Sequence, residues 1–100
     1  MRSASFQNDF SKVFSRSKSV IARKRFKILD EDQVKGYIRA ERPSKLIKPS
    51  FIMIIEIIKN DEVSTKVTVK VHSKSRWLKP KQATLEMMEG RFISMLSGNL

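Results

Sequence analysis

Residues 51–72 read FIMIIEIIKNDEVSTKVTVKVH, and this stretch decides the fold of the chain. From Val63 to His72, valine or threonine alternates with mostly polar residues, and this period of two is typical of a strand. Residues 51–59 are almost wholly apolar, and the polar segment 60–62 between the two runs has the composition of a tight turn. The stretch therefore predicts an antiparallel pair of strands, 51–59 and 63–72.

Glu56 is the charged residue that decides the register of this pair. A three-residue loop at 60–62 places Ile55 opposite Val67 and keeps the apolar side chains on one face. The same register places Glu56 on the other face, opposite Lys66, where such a pair contributes ~0.2–1 kcal/mol. A two-residue loop would bury an unpaired carboxylate at a cost of several kcal/mol. We therefore expect Glu56 to be an outward, ion-paired strand residue rather than a buried catalytic base.

The sequence before this pair predicts one helix and two further strands. Apolar residues from Phe6 to Ile21 recur at helical spacing on one face, with basic residues opposite, which predicts an amphipathic helix over residues 5–22. Alternating residues then predict strands over 25–30 and 33–41, joined by a polar turn at residues 30–32.

The sequence after the pair predicts one more helix, over residues 81–97. Pro80 is well placed for a first helical turn, and Gly98 for a stop. The whole order is α-β-β-β-β-α, and its short connections favour an antiparallel meander. We predict a single α+β domain over residues 1–100, with a four-stranded antiparallel sheet flanked by N- and C-terminal helices.

Charge is the strongest global feature of the composition. The chain of 100 residues carries 21 Lys plus Arg against 10 Asp plus Glu, a net charge of +11. Such an excess attracts polyanions such as nucleic acid or anionic membrane. The chain holds no cysteine, which suits a reducing, cytoplasmic location, and no apolar run approaches the ~20 residues of a membrane span.

The predicted meander sorts these charges to opposite ends of the sheet. The turns at 30–32 and 60–62 carry five of the 10 acids. The other end receives the start of the first strand, the loop between Pro43 and Pro49, and the loop before Pro80. We predict an anion-binding or nucleic-acid-binding site at this basic end, with Trp77 available for stacking on a base. The predicted site residues are Arg23, Lys24, Arg25, Arg42, Lys45, Lys48, Lys74, Arg76, Trp77, Lys79 and Lys81.

A second predicted surface is apolar and lies on the outer face of the sheet. If Glu56 points outward, Ile52, Ile54 and Ile58 do so too, beside Tyr37. An exposed apolar patch usually has something covering it, such as the first helix, a ligand or a second copy of the chain. These residues are therefore a predicted homodimer face.

The sequence offers little support for catalysis, a metal site or a cofactor. His72 is the only histidine, no serine lies in a nucleophile motif, and no glycine-rich phosphate loop is present. Glu86 and Glu89 lie near the start of the predicted last helix, where the helix dipole favours acids.

The composition leaves three roles for the chain. The first expectation is a non-enzymatic basic module that binds an anionic partner, most simply nucleic acid. The alternatives are a structural protein that dimerises through the isoleucine face, and a peripheral membrane protein that binds through its first helix. The first 29 residues, with eight bases, six serines and one acid, also resemble a targeting segment in composition, but we expect their apolar stripe to be core.

Overall fold

The computed structural model of the chain describes residues 1–42, 50–73 and 81–100. Within these residues the chain forms an α+β fold with one antiparallel sheet in the strand order β1-β5-β4-β3-β2. The elements are β1 (Arg2–Phe6), α1 (Phe10–Arg23), β2 (Lys27–Asp32), β3 (Tyr37–Arg42), β4 (Phe51–Lys59), β5 (Thr65–Ser73) and α2 (Gln82–Asn99). The α+β class and the antiparallel sheet are confirmed, whereas the prediction of four strands is corrected to five within the described residues.

The additional strand is β1, which the predicted helix over residues 5–22 partly overlapped. β1 pairs with β5 at the edge of the sheet, and the hydroxyls of Ser3 and Thr68 lie 3.0 Å apart across the pair. The helix begins only at Phe10, where the Asp9 carboxylate accepts a hydrogen bond from the Lys12 backbone N–H at 2.7 Å. Asp9 therefore acts as an N-cap and separates strand from helix.

The apolar stripe of α1 forms part of the core, as its spacing predicted. Val13, Phe14, Val20 and Ile21 are buried, and α1 packs on β4 and β2. Ser17 lies on the same stripe and is also buried, and its hydroxyl has no hydrogen-bond partner among the described residues.

The acidic segment at residues 30–32 is the end of a strand, which corrects the predicted turn there. The acids are accommodated because they have partners: Glu31 lies 3.0 Å from Lys18 of α1, and Asp30 lies 3.8 Å from Arg39 of β3. Asp32 accepts hydrogen bonds from the Val34 and Lys35 backbone N–H groups and so shapes the turn that follows.

The β2–β3 turn closes at Gly36, four residues later than predicted. Gly36 has a φ of 71°, and its carbonyl accepts a hydrogen bond from the Ile57 N–H at 2.7 Å. A Cβ here would collide with the Ile57 carbonyl oxygen, so both the backbone angle and the close approach require glycine. Val34, which lies within the predicted strand 33–41, is 96% exposed in this turn, because β3 begins only at Tyr37.

The β4–β5 pair has the predicted faces but a register shifted by two residues. Ile55 pairs with Val69 rather than Val67, because the connecting loop runs from residue 60 to 64 and is longer than the predicted 60–62. Glu56 is exposed on the outer face as predicted, but it lies opposite Thr68 instead of Lys66. Glu56 makes no ion pair with another described residue, so its predicted ion pair with Lys66 is wrong.

Helix α2 covers the remaining part of the sheet and packs on β5, β1 and α1. Its apolar face buries Phe92 and Leu96. Glu89 lies on the same face and is only 1% exposed, which corrects the expectation that it only complements the helix dipole. Its Oε2 accepts a hydrogen bond from the Val71 N–H at 2.8 Å, and its Oε1 lies 3.0 Å from the amino group of Met1. Among the described helices, neither is long and apolar enough to cross a membrane.

Candidate anion-binding site

The site is built on the C-terminal end of α1, where the chain turns sharply into β2. The Phe26 N–H donates to the Ile21 carbonyl and the Arg25 N–H donates to the Ala22 carbonyl, both at 3.1 Å. These two bonds form a Schellman motif, which ends a helix by satisfying its last carbonyl groups. The motif turns the chain so that Arg23, Lys24 and Arg25 are presented together at one end of the sheet.

Arg25 occupies the position of this motif that normally holds glycine. Its φ is 63°, in the left-handed region, where a side chain costs roughly 1–2 kcal/mol. Apart from glycines, it is the one described residue with a positive φ. The chain therefore keeps a guanidinium at this position in spite of an unfavourable backbone conformation.

These residues line a cavity of about 270 Å³ between α1, the end of β3 and α2. Of the lining residues that the structure describes, the charged ones are all basic and the others are apolar. The basic residues are Arg23, Lys24, Arg25, Arg42 and Arg91, and the apolar ones are Phe26, Met53 and Met88. We call this cavity the basic pocket.

Arg42 is held in the basic pocket by two aromatic rings. Its guanidinium carbon lies 5.8 Å from the ring centre of Phe26 and 5.0 Å from that of Phe51. Each such cation–π contact contributes roughly 0.5–1 kcal/mol when partly exposed. The guanidinium is thus positioned by Phe26, just before β2, and by Phe51 at the start of β4.

The bases of the pocket are close enough to affect one another. Partial burial is the largest cause that lowers the pKa of Lys24 from its ordinary value of 10.5, followed by the charges of Arg91 and Arg42. Arg23 donates a hydrogen bond to the Asn99 side-chain oxygen at 3.1 Å. An anion in the pocket would relieve this mutual repulsion.

The structure brings together part of the predicted basic site and adds one residue to it. Arg23, Lys24, Arg25 and Arg42 all line the pocket, whereas Lys81 lies at the N-cap of α2, exposed and outside the pocket lining. The other predicted members fall outside the described residues: Lys45, Lys48, Lys74, Arg76, Trp77 and Lys79.

Arg91 is the pocket residue that sequence reasoning missed. It precedes the buried Phe92 on α2 and reaches the pocket because α2 packs against α1 at this end of the sheet. The helical spacing of α2 predicts that Arg91 lies beside the apolar face, but not which part of the sheet it reaches.

The predicted isoleucine face is less open than expected. Ile58 is 52% exposed, and Tyr37 and Ile54 are half-buried, but Ile52 is only 8% exposed. The four residues do share the outer face, since β3 and β4 pair in the register that places Tyr37 beside Glu56.

A wider groove of about 550 Å³ lies near the β2–β3 turn and is acidic. Four acids and one base line it together with two larger apolar or aromatic side chains: Asp30, Glu31, Asp32, Glu56, Lys35, Tyr37 and Ile58. Within residues 1–42, 50–73 and 81–100, no group of three His, Cys, Asp or Glu side chains is arranged to hold a metal ion. Tyr37 lines this acidic groove and Arg42 lines the basic pocket, so the two sites lie at opposite ends of β3.

The chain matches no protein-family model. A comparison with curated proteins likewise finds no match.

Proposed function

We propose that this chain is a non-enzymatic binding module that holds nucleic acid at the basic end of its sheet. The observation that carries the proposal is the basic pocket, where five cationic side chains and no acidic one, among the described residues, line a single concave surface. Arg91 enters from α2, far along the chain from the Arg23–Arg25 segment, so the fold itself assembles the cluster. A cytoplasmic location is part of the proposal, because a chain without cysteine suits a reducing compartment.

The binding mechanism is neutralisation of backbone phosphates by Lys and Arg, with release of the counterions condensed on the nucleic acid. For a single strand, log Kobs falls with log[salt] with a slope of about −0.7 per phosphate contacted. The five pocket bases can neutralise at most five phosphate charges, so about −3.5 is the steepest slope that the pocket alone can produce. At that limit the affinity falls roughly a hundredfold between about 50 and 200 mM salt.

The test is fluorescence anisotropy of labelled single- and double-stranded DNA and RNA across this range of salt. The informative variant is Arg25→Glu with Arg91→Glu, which reverses two charges of the basic pocket. Its matched control is Lys12→Glu with Lys66→Glu, which reverses two exposed charges elsewhere and gives the same net charge. We expect the pocket variant to lose more than about tenfold in affinity and to show a shallower salt slope, with the control far less affected.

Two outcomes contradict the proposal. If no nucleic acid binds at about 50 mM salt, the function is wrong. If both double variants lose the same affinity, binding reflects the net charge of +11 and not the basic pocket.

A second candidate function is homodimerisation through the outer face of the sheet, and the exposure of Ile58 favours it. Ile54→Lys, on the same face, should then convert a dimer into a folded monomer, measured by light scattering and circular dichroism. An unchanged mass would remove this face as an interface. The buried apolar stripe of α1 offers no comparable surface to a membrane.

A further inference from the structure

We infer that the basic pocket takes one phosphomonoester dianion, the terminal phosphate of a nucleic-acid strand. This inference rests on the proposed function and assigns a specific ligand group to part of the basic end. It distinguishes a strand terminus from the phosphodiesters along the strand.

The dimensions of the pocket favour a small group. Pockets for drug-sized ligands measure roughly 300–1,000 Å³, and the basic pocket, at about 270 Å³, lies just below that range. It has room for one phosphate with its ester group and some water, but not for successive nucleotides. Its floor is apolar, because Met53 and Phe26 are buried, and charge interactions are stronger next to such a surface.

The number and directions of the cations favour a dianion. A phosphomonoester carries about −1.5 to −2 charges at pH 7 and three terminal oxygens, whereas a backbone phosphodiester carries about −1. The pocket presents cations from three sides: Arg23–Arg25 at the end of α1, Arg42 at the end of β3, and Arg91 on α2. A terminal phosphate can meet all three sides at once, while a diester has one oxygen fewer to offer and a chain leaving in both directions.

Two of the cations are already placed for a ligand. The rings of Phe26 and Phe51 hold the Arg42 guanidinium, so little of its conformational freedom remains to be lost on binding. Arg25 keeps its position in spite of the left-handed backbone, and strain of this kind is concentrated at ligand sites in proteins.

The C-terminal end of a helix normally repels an anion, because the helix dipole places about half a negative charge there. In this protein the last carbonyls of α1 accept hydrogen bonds from Lys24, Arg25 and Phe26, which satisfies them. The five cations of the pocket exceed the remaining dipole charge several-fold. The end of α1 is therefore electropositive in spite of its polarity.

The experiment compares one short single strand in two forms, with a 5′-phosphate and with a 5′-hydroxyl, by anisotropy at the same salt concentration. A third form carries the phosphate at its 3′ end. We expect at least one phosphorylated form to bind about tenfold or more tightly than the hydroxyl form, a ratio that corresponds to about 1.4 kcal/mol. Lys24→Gln and Arg91→Gln should each reduce this ratio towards one, and the control Lys12→Gln, which removes an exposed charge outside the pocket, should preserve it.

Thermal denaturation gives a second readout that needs no nucleic acid. Inorganic phosphate should raise the melting temperature of the wild-type protein above that in chloride of the same ionic strength, because it binds only the folded state. Lys24→Gln should raise the melting temperature without phosphate, since it removes a mutually repelling charge, and should reduce the response to phosphate. A residue with a merely structural role would not produce this opposite pair of effects.

The outcomes separate this inference from the proposed function. Equal affinity for all three strands overturns the terminal-phosphate assignment and leaves nucleic-acid binding in place. A preference for phosphorylated strands that survives both Lys24→Gln and Arg91→Gln also overturns it, because the group is then held elsewhere. A third outcome is that no strand binds, but phosphate still raises the melting temperature and Lys24→Gln removes this rise. That result overturns the proposed function but supports binding of a phosphomonoester from a small molecule. Failure of all strands with no response to phosphate overturns both.

Discussion

Replacing Arg25 by glycine should make the protein more stable while it weakens anion binding. The left-handed φ of 63° costs an arginine about 1–2 kcal/mol, and glycine removes that cost. Glycine also lowers the free energy of unfolding by about 0.4–1 kcal/mol, because it increases the conformational entropy of the unfolded chain. The net gain is therefore about 0.8 kcal/mol at the midpoints of these ranges, which in a domain of this size raises the melting temperature by roughly 3–6 °C.

Arg23→Gly is the matched control for this prediction. It is the same substitution, two positions earlier, and it removes a base from the same pocket. Arg23, however, lies in the last turn of α1, where glycine costs about 1 kcal/mol, and it also donates a hydrogen bond to Asn99. The two variants should therefore move the melting temperature in opposite directions while both weaken binding of inorganic phosphate.

The assay is thermal unfolding followed by circular dichroism in a phosphate-free buffer, with a repeat at high phosphate. If Arg25→Gly melts as low as Arg23→Gly, then α1 does not end in a Schellman motif and the argument from backbone strain fails. If Arg25→Gly is more stable and binds phosphate as tightly as the wild type, the strained arginine is not a ligand of the pocket.

Three further predictions follow from other buried or crowded groups. Because the pKa of Lys24 lies below 10.5 in the folded state, the unfolded chain binds more protons between the two values and stability rises with pH through that interval. Lys24→Gln should therefore stabilise the protein at neutral pH but not above pH 10.5. The measurement is urea unfolding of both proteins at neutral pH and above pH 10.5. An equal gain under the two conditions would contradict a lowered pKa of Lys24 in the folded state. Ser17→Ala should raise the free energy of unfolding by about 1 kcal/mol, because it removes a buried hydroxyl without a described partner. The control Ser15→Ala, at an exposed position of the same helix, measures the part of the gain that is due to helix propensity. Equal gains in the two variants would mean that the Ser17 hydroxyl has a hydrogen-bond partner. Gly36→Ala should lower the free energy of unfolding by more than about 3 kcal/mol, because the added Cβ meets a backbone oxygen. The control Gly98→Ala, in α2 with no neighbour within 4 Å, should raise it by about 1 kcal/mol. A mild effect of Gly36→Ala in chemical denaturation would show that the turn can relax.

The sequence predicts β4 to its last residue because a short run rich in isoleucine, bounded by polar residues and followed by a clearly alternating strand, is typical of a buried strand. It predicts the faces of β5 equally well, but not the pairing of the two strands. A shift by two residues leaves every side chain on the same face, and β5 repeats valine at every second position. Only the conformation of the loop at residues 60–64 separates the two registers, and its composition does not specify its length.

Other features could not be predicted because the residues that stabilise them lie far away in the sequence. Asp30–Asp32 looks like a turn until Lys18 of α1 and Arg39 of β3 are placed beside it. Glu89 did leave a signal, since it shares a helical face with Leu85 and Phe92, and a carboxylate on such a face implies a buried partner. Four residues of the basic pocket were predictable, because the order of the strands brings them to one end of the sheet: Arg23, Lys24, Arg25 and Arg42. The position of Arg91 was not predictable, because it depends on the direction in which α2 crosses the sheet.

The pairing of β1 with β5 has a consequence for the order in which the chain folds. Ser3 and Thr68 face each other across 65 positions, so β1 closes by far the longest loop in the sheet, while β2 to β5 follow one another closely in the sequence. Contacts of such separation form slowly, because the entropy of closing the loop is lost before any contact compensates it. A chain emerging from the ribosome therefore exposes β1 as an unpaired strand until β5 has been synthesised. The sequence of β1, RSASF, with serine and alanine at its centre and an arginine at its start, has little tendency to associate with other strands during that interval.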